Sequence, residues 1–444
     1  MSGELTALGT LVAGTDWQAS AAADRLAIER GIRVSLLCVL LGLEREADVW
    51  PYPSQAAVGR ASHAGKMLAR LFEPMDGIGQ LATLAGAADL DPMDPGPSHT
   101  VLPATLAACV ASSVVSAPAD EQGGDAELGA AVLAGVEAAW RMRRAVSGAR
   151  PGVGFHSPGV YGAVAAAAAG ARALRLGEIG CANAMAIALT RASGLAINSA
   201  ASAIGMTHFG WGAAHGLEAA LLAGEGWDAS HDVERALASL FGAGRVNLDA
   251  ILQQGLPAAA AGLVFKRYPC NIYLNLVVVM LDEVATRPVD RIEITMPWIP
   301  HLDNAAPRDI RQVRNSAQAV AAIAGSGDPS YAAFSGPPGP WRPSPDVARL
   351  LPRVVLVADR AAPTRLSEAS VGVRAWRGGS LVQESTRAMR DLGSWGVEHA
   401  RKLMGSDATP GGVEALYGGS LLRGYEHVKT RRLARDGPPG ATTR

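Results

Sequence analysis

Four side chains able to move protons fall within eleven residues of the stretch "ADLDPMDPGPSHTVLP": Asp89, Asp91, Asp94 and His99. Carboxylates crowded beside an imidazole shift one another's proton affinities, which is what acid–base chemistry requires. The same spacing also fits a solvated, proline-stiffened loop whose aspartates cap the next helix. A second candidate is the turn Gly154-Phe155-His156-Ser157-Pro158-Gly159, which opens an alanine-rich helix near Val160. Backbone N–H groups at a helix start favour an anion. There His156 and Ser157 either meet a substrate carboxylate or serve as packed, hydrogen-bonded structure. A third is "AIGMTHFGWGAAHGLEAALLAG", which reads as a glycine-rich loop carrying His208, followed by a helix over 213–224 with His215 in its first turn. A fourth is "FKRYPCN", where Lys266 and Arg267 mark a change of style along the chain. A cation there holds an acidic substrate or decorates a solvated hinge.

The elements that must position these residues divide into two zones. Periodicities of three and four predict helices over 16–43, 53–72, 77–90, 101–116, 126–147, 160–177, 178–192, 213–224 and 230–241, with no strand before about residue 265. Beyond "FKRYPCN", period-two alternation predicts strands at 289–298, 353–360 and 371–385, the last folding back through a Gly-Gly turn. Helical patterns at 272–286 and 310–324 lie between them, and 385–405 returns to a helical pattern. The expected fold is therefore mainly α: a large all-α domain from residues 1–265 and 390–444, with a smaller α+β lid domain over 266–389.

Composition narrows the function classes. The chain has 444 residues and a formal net charge of -1, so no basic stripe suggests nucleic acid. Four cysteines lie far apart with no C-x-x-C pair and read as buried thiols in a reducing compartment. The first residues lack the basic flank and apolar core of a signal peptide, and no apolar run reaches the roughly 20 residues that span a bilayer. A cytoplasmic protein is expected. No P-loop, GxGxxG or HExxH is present, and the nine histidines are scattered without metal-ligand spacing. No metal is expected.

Taken in order, the stretches "GFHSPGVYGAVAAAAAGARALRLG", "CANAMAIALTRASGL", "GAAHGLEAALLAGEGW" and "FKRYPCN" resemble the MmgE/PrpD family over most of the chain. The resemblance implies a helical domain with an α+β lid, a homodimer, and cofactor-independent proton abstraction next to a carboxylate of a small di- or tricarboxylic acid. It implies catalytic roles for Asp89, His99, His156 and His208. It implies substrate contacts from Asp91, Ser157, Lys266, Arg267 and Gln318. Three departures accompany it. Pro92 and Met93 replace an aspartate and a threonine of the acidic loop, and the Met-Thr-Lys stretch with a histidine shortly after is shortened to Met206-Thr207-His208-Phe209, where His208 stands for either the lysine or the histidine. Asn275 and Gln318 stand where the family carries a histidine and a tyrosine. A lyase of the dehydratase type is the first expectation, an epimerase the second and a catalytically silent binding relative the third.

Overall fold

The structure is a computed structural model describing residues 3–46, 77–96, 98–115, 121–146, 154–199, 202–253, 259–284, 288–327, 329–336, 339–392, 399, 416–417 and 419–436. The helix expected over 53–72 lies outside these residues. The chain divides into two compact units: residues 1–197, 204–263 and 409–444 form one, and 198–203 with 264–408 form the other.

The first unit is helical. Its described elements are α1 (Gly3–Ala13), α2 (Ala22–Leu41), α3 (77–88), α4 (Val101–Val114), α5 (Glu121–Arg144), α6 (Ala163–Ala173), α7 (Glu178–Thr190), α8 (Ile204–Gly224) and α9 (Val233–Phe241). Helix α6, "AVAAAAAGARA", is its axis and packs against α4, α5, α7 and α8. Its alanines are what permit four neighbours. A β-carbon added to Gly135 of α5 would lie 2.4 Å from the Ala165 carbonyl, and one on Gly216 of α8 would lie 2.4 Å from the Ala166 β-carbon. Side chains larger than Ala have no room at these crossings.

Two features differ from the sequence expectation. Helix α1 was not foreseen; it buries Leu5, Leu8 and Val12 along one stripe and packs on α7, where Gly9 approaches the Glu178 carbonyl. More importantly, "IGMTHFGWGAAHG" is not a glycine-rich loop but the first part of the 21-residue helix α8. A β-carbon on Gly210 would sit 2.4 Å from the Gly79 carbonyl, and one on Gly212 would sit 2.1 Å from the Pro158 carbonyl. These glycines are close-approach residues inside a helix, and that contact outweighs a propensity cost of about 1 kcal/mol each. His215 consequently lies in the middle of α8 rather than in a first turn. The C-terminal helix α13 (Leu421–Asp436, numbered after those below) packs on α2 and α5, with the Leu421 and Leu422 N–H groups donating to Asp125 at 2.9 and 3.1 Å.

The second unit is α+β. It contains α10 (Ile272–Asp282), β1 (Arg291–Pro297), α11 (Ile310–Arg314), α12 (Ala317–Gly325), β2 (Val354–Asp359), β3 (Ser370–Arg377) and β4 (Ser380–Ala388). Sheet order is β2-β1-β3-β4; β1 and β2 run parallel and the other pairs antiparallel. Gly378 and Gly379, at φ of 57° and 82°, make the expected two-residue hairpin turn. Ile292, Ile294 and Met296 of β1 and Val371, Val373 and Ala375 of β3 are buried, and α10 and α12 cover the sheet. The helical pattern from 385 gives way to strand through Ala388, because Ser385 to Ala388 pair with Val373 to Ser370. A 3-10 turn at Met389–Leu392 then packs on α10. Residues 198–203 also belong to it: the Ser199 carbonyl accepts from Arg311 at 3.4 Å.

Among the described residues no helix is long and apolar enough to cross a membrane. The four cysteines are buried thiols.

Candidate active site

The helical unit brings His99, His156 and His208 together from three separate segments. The first is the loop after α3. Asp89 ends that helix with φ of 55°, a left-handed conformation that Asp tolerates better than most residues, and remains half-buried. Asp91 is buried at 1 % exposure, and His99 Nδ1 lies 2.5 Å from its Oδ2. That contact orients the His99 ring: Nδ1–H donates to the carboxylate, and Nε2 is the ring's second nitrogen. The His99 side chain keeps 14 % exposure, so it is the accessible member of the couple.

The second segment is the turn 154–157. It pairs with 193–196: the His156 N–H donates to the Gly194 carbonyl at 2.8 Å, and the Ala196 N–H to the Gly154 carbonyl at 2.8 Å. Ser157 Oγ accepts from the His99 backbone N–H at 3.1 Å, tying the two segments together. Pro158 then starts a π-turn, Pro158–Gly162, that leads into α6. The third segment is α8, which carries His208 at 1 % exposure. Gly194, at φ of 94°, lets α8 come close: a β-carbon there would lie 3.0 Å from the His208 ring.

His156 Nδ1 and His208 Nδ1 are 3.0 Å apart. At this distance one ring nitrogen donates and the other accepts, so the two imidazoles are hydrogen-bonded to each other. The ring centroids of His99 and His156 are 5.5 Å apart, and those of His156 and His208 5.2 Å. Phe209 is the apolar wall, edge-on to His99 at 5.1 Å and to His156 at 5.9 Å. It packs where Gly86 of α3 leaves room, since a β-carbon there would lie 2.6 Å from its ring. The sequence reading missed Phe209; its only signal was adjacency to His208.

Asp94 holds the loop itself. Its Oδ1 accepts from the Gly96 and Ser98 N–H groups at 2.8 and 3.0 Å, and its Oδ2 from the Thr100 hydroxyl at 3.1 Å. Burial pushes its carboxyl up from 3.8 to about 6, against the pull of those three donors and of the Arg143 charge.

The remaining expected site residues lie in the α+β unit. Lys266 is buried at 3 % exposure and Arg267 is half-buried. Asn275 Oδ1 accepts from the Arg267 and Tyr268 N–H groups at 2.6 and 2.8 Å, while Nδ2 reaches the Cys270, Asn271 and Tyr268 carbonyls. It organises the loop that presents Lys266. Both ends of the Gln318 amide are engaged within this unit: Nε2 donates to Asp303 at 2.7 Å, and Oε1 accepts from the Asn304 N–H at 3.2 Å.

Residues 82–242, which contain the whole histidine cluster, match the family model described as the MmgE/PrpD N-terminal domain. The chain carries an MmgE/PrpD N-terminal domain. Within the curated proteins, it is 30% identical over 183 residues to human cis-aconitate decarboxylase, covering 38% of each chain. The match therefore spans well under half of that relative. In this MmgE/PrpD domain, Asp89, Asp91, His99, His156, Ser157 and His208 all fall inside the matched region, whereas Lys266, Arg267 and Gln318 fall outside it.

Proposed function

We propose that this chain is a lyase that removes a proton beside a carboxylate of a small di- or tricarboxylic acid. The observation carrying the reading is the pairing of an aspartate-backed imidazole, His99 on Asp91, with a hydrogen-bonded couple, His156 and His208, across one apolar wall. Deprotonation next to a carboxylate needs a base tuned near neutral pH, and imidazole beside a buried carboxylate is such a base. In a dehydration, His99 Nε2 takes the C–H proton and the carbon–hydrogen electron pair becomes the new π bond. The hydroxyl leaves with a proton from the His156–His208 pair, which enters the step as an imidazolium hydrogen-bonded to an imidazole and leaves it neutral, so the products are an alkene and water and the net charge is unchanged. Asp91 stabilises the His99 imidazolium formed in the first step.

Lys266 and Arg267 supply positive charge for the substrate carboxylates, a role for which Lys266→Ala raises KM roughly ten- to a hundred-fold. Asp89 and Ser157 remain site residues in this reading, Ser157 through its hold on His99. A cytoplasmic homodimer is part of it, supported by the family resemblance and the small-residue helix faces; sedimentation at micromolar concentration is expected to give about twice the 45.7 kDa of one chain, and a monomer mass would overturn it. A second reading, epimerisation, uses the same two proton-handling groups on opposite faces of one carbon. Incubating the protein with a panel of small hydroxy- and unsaturated carboxylic acids in deuterated water separates them. A new or lost alkene, or released carbon dioxide, supports the lyase. Deuterium entering with inversion and no group lost supports the epimerase, and no exchange with any acid overturns both.

A further inference from the structure

The two aspartates flanking the proline-rich loop hold different parts of His99. Asp91 touches its ring. The Asp94 carboxylate accepts instead from the chain on both sides of His99. The N–H of Ser98, the residue before, donates to Asp94 Oδ1 at 3.0 Å, and the hydroxyl of Thr100, the residue after, donates to Oδ2 at 3.1 Å. The Asp94 N–H closes the same loop on the Ser98 carbonyl at 2.9 Å. Thr100 stands at the N-cap position of α4, yet its hydroxyl makes no capping bond there. Three of the four participants are buried almost completely, Asp94 and Thr100 at 0 % and Ser98 at 1 % exposure; Gly96 is half-buried against the Trp140 ring, 2.7 Å from where a β-carbon would stand. Burying a carboxylate is costly, and a chain that keeps one here without a direct ion pair gains a rigid acceptor for three donors. The charged or titratable groups acting on it are Arg143 of α5 and the Tyr161 phenol, which burial holds protonated by raising its pKa to about 12.

We propose that Asp94 is a positioning residue for the His99–Asp91 couple: it clamps the backbone on either side of His99 so that Nδ1 meets Asp91. The inference rests on the proposed role of His99 as the proton-abstracting base. It is separable from that role, because the Nδ1–H···Asp91 hydrogen bond has its own signature, a far-downfield imidazole proton resonance that needs no substrate.

The 444-residue chain, labelled at histidine with nitrogen-15, is examined by proton NMR as wild type, Asp94→Ala and Asp94→Asn. His99→Gln identifies the resonance. Asp94→Ala loses it and, with a turned-over acid, has kcat reduced about 100-fold with KM little changed, as for a base displaced by about 1 Å. Asp94→Asn keeps it, because the amide oxygen accepts the same two N–H groups and Nδ2 donates to Thr100. Should Asp94→Ala fail to fold, Thr100→Val removes one donor alone and speeds solvent exchange of the resonance at least several-fold. A wild-type-like resonance in folded Asp94→Ala overturns the proposal, as does its loss in folded Asp94→Asn or unchanged exchange in Thr100→Val. If the wild type shows the resonance but acts on no acid, the functional reading fails while the clamp is still decided by these spectra.

Discussion

Two loops of this molecule are built on one device and put to different ends. In the loop 89–100, Asp94 gathers backbone donors so that His99 can reach Asp91. In the loop 266–275, Asn275 gathers the Arg267 and Tyr268 N–H groups and three carbonyls. Both organisers are fully buried polar side chains. The difference lies in what remains after the backbone is served. The first loop presents an imidazole with 14 % exposure whose ring is paired side chain to side chain with Asp91, the arrangement on which the proposed proton transfer rests. The position in the second loop that carries a histidine in the resembling family is itself the organiser, and every polar atom of its amide is engaged. A buried polar residue that feeds main-chain groups is architecture; one that is tied to another titratable side chain and still reaches the surface is chemistry.

The comparison breaks first at the histidines. His99→Ala or His156→Ala is expected to lower kcat by about 100- to 10,000-fold with a melting temperature within a few degrees of wild type. Early melting with native kcat per folded molecule would return both residues to the status Asn275 has here. Asn275→Ala tests the opposite pole. It strands two buried N–H groups and several carbonyls, each worth about 1–3 kcal/mol, and should lower unfolding stability by about 3–5 kcal/mol in chemical denaturation. A loss below about 1 kcal/mol would contradict its role as loop organiser.

Asp94→Asn sharpens the contrast between a charged and a neutral organiser. Folding raises the Asp94 pKa from 3.8 to about 6, so the folded chain holds this proton more tightly than the unfolded one. The stability that the proton provides is complete below about 3.8 and is lost as pH rises through about 6. The variant has no such proton to lose. Its stability relative to wild type should therefore rise between pH 4 and pH 7, by about 2–3 kcal/mol, read from paired melting curves. A difference flat across that range removes the buried-charge cost. The smallest effect is expected at Gly212→Ala, about 1–2 kcal/mol destabilising. Alanine gains about 1 kcal/mol of helix propensity, but its β-carbon would press on the Pro158 carbonyl. Stabilisation there would mean that α8 has room the close approach denies.

Periodicity alone placed most of the helices, the strand at 289–298 and the Gly-Gly hairpin, because those signals are local: burial on one face and φ above zero at two residues. The turn carrying His156 and the acidic loop were legible as chemistry for the same reason, each being a short stretch of distinctive side chains. What failed was local reasoning about residues whose purpose is not local. Glycines in "IGMTHFGWGAAHG" read as a loop when only the neighbours of α8 show that they admit Thr83, Pro158 and Ala166. The pattern from Ser385 reads as helix when pairing with β3 makes it strand. The sequence by itself determined that this is a mainly α chain with an α+β portion, and it singled out the histidines and aspartates as candidates for proton transfer. Tertiary structure alone decided which of them meet: Asp91 with His99, and His156 with His208 over 52 residues of intervening chain. It also decided that Asp94 and Asn275 face inward to the backbone, because hydrogen-bond partners and burial are properties of packed neighbours rather than of residue order.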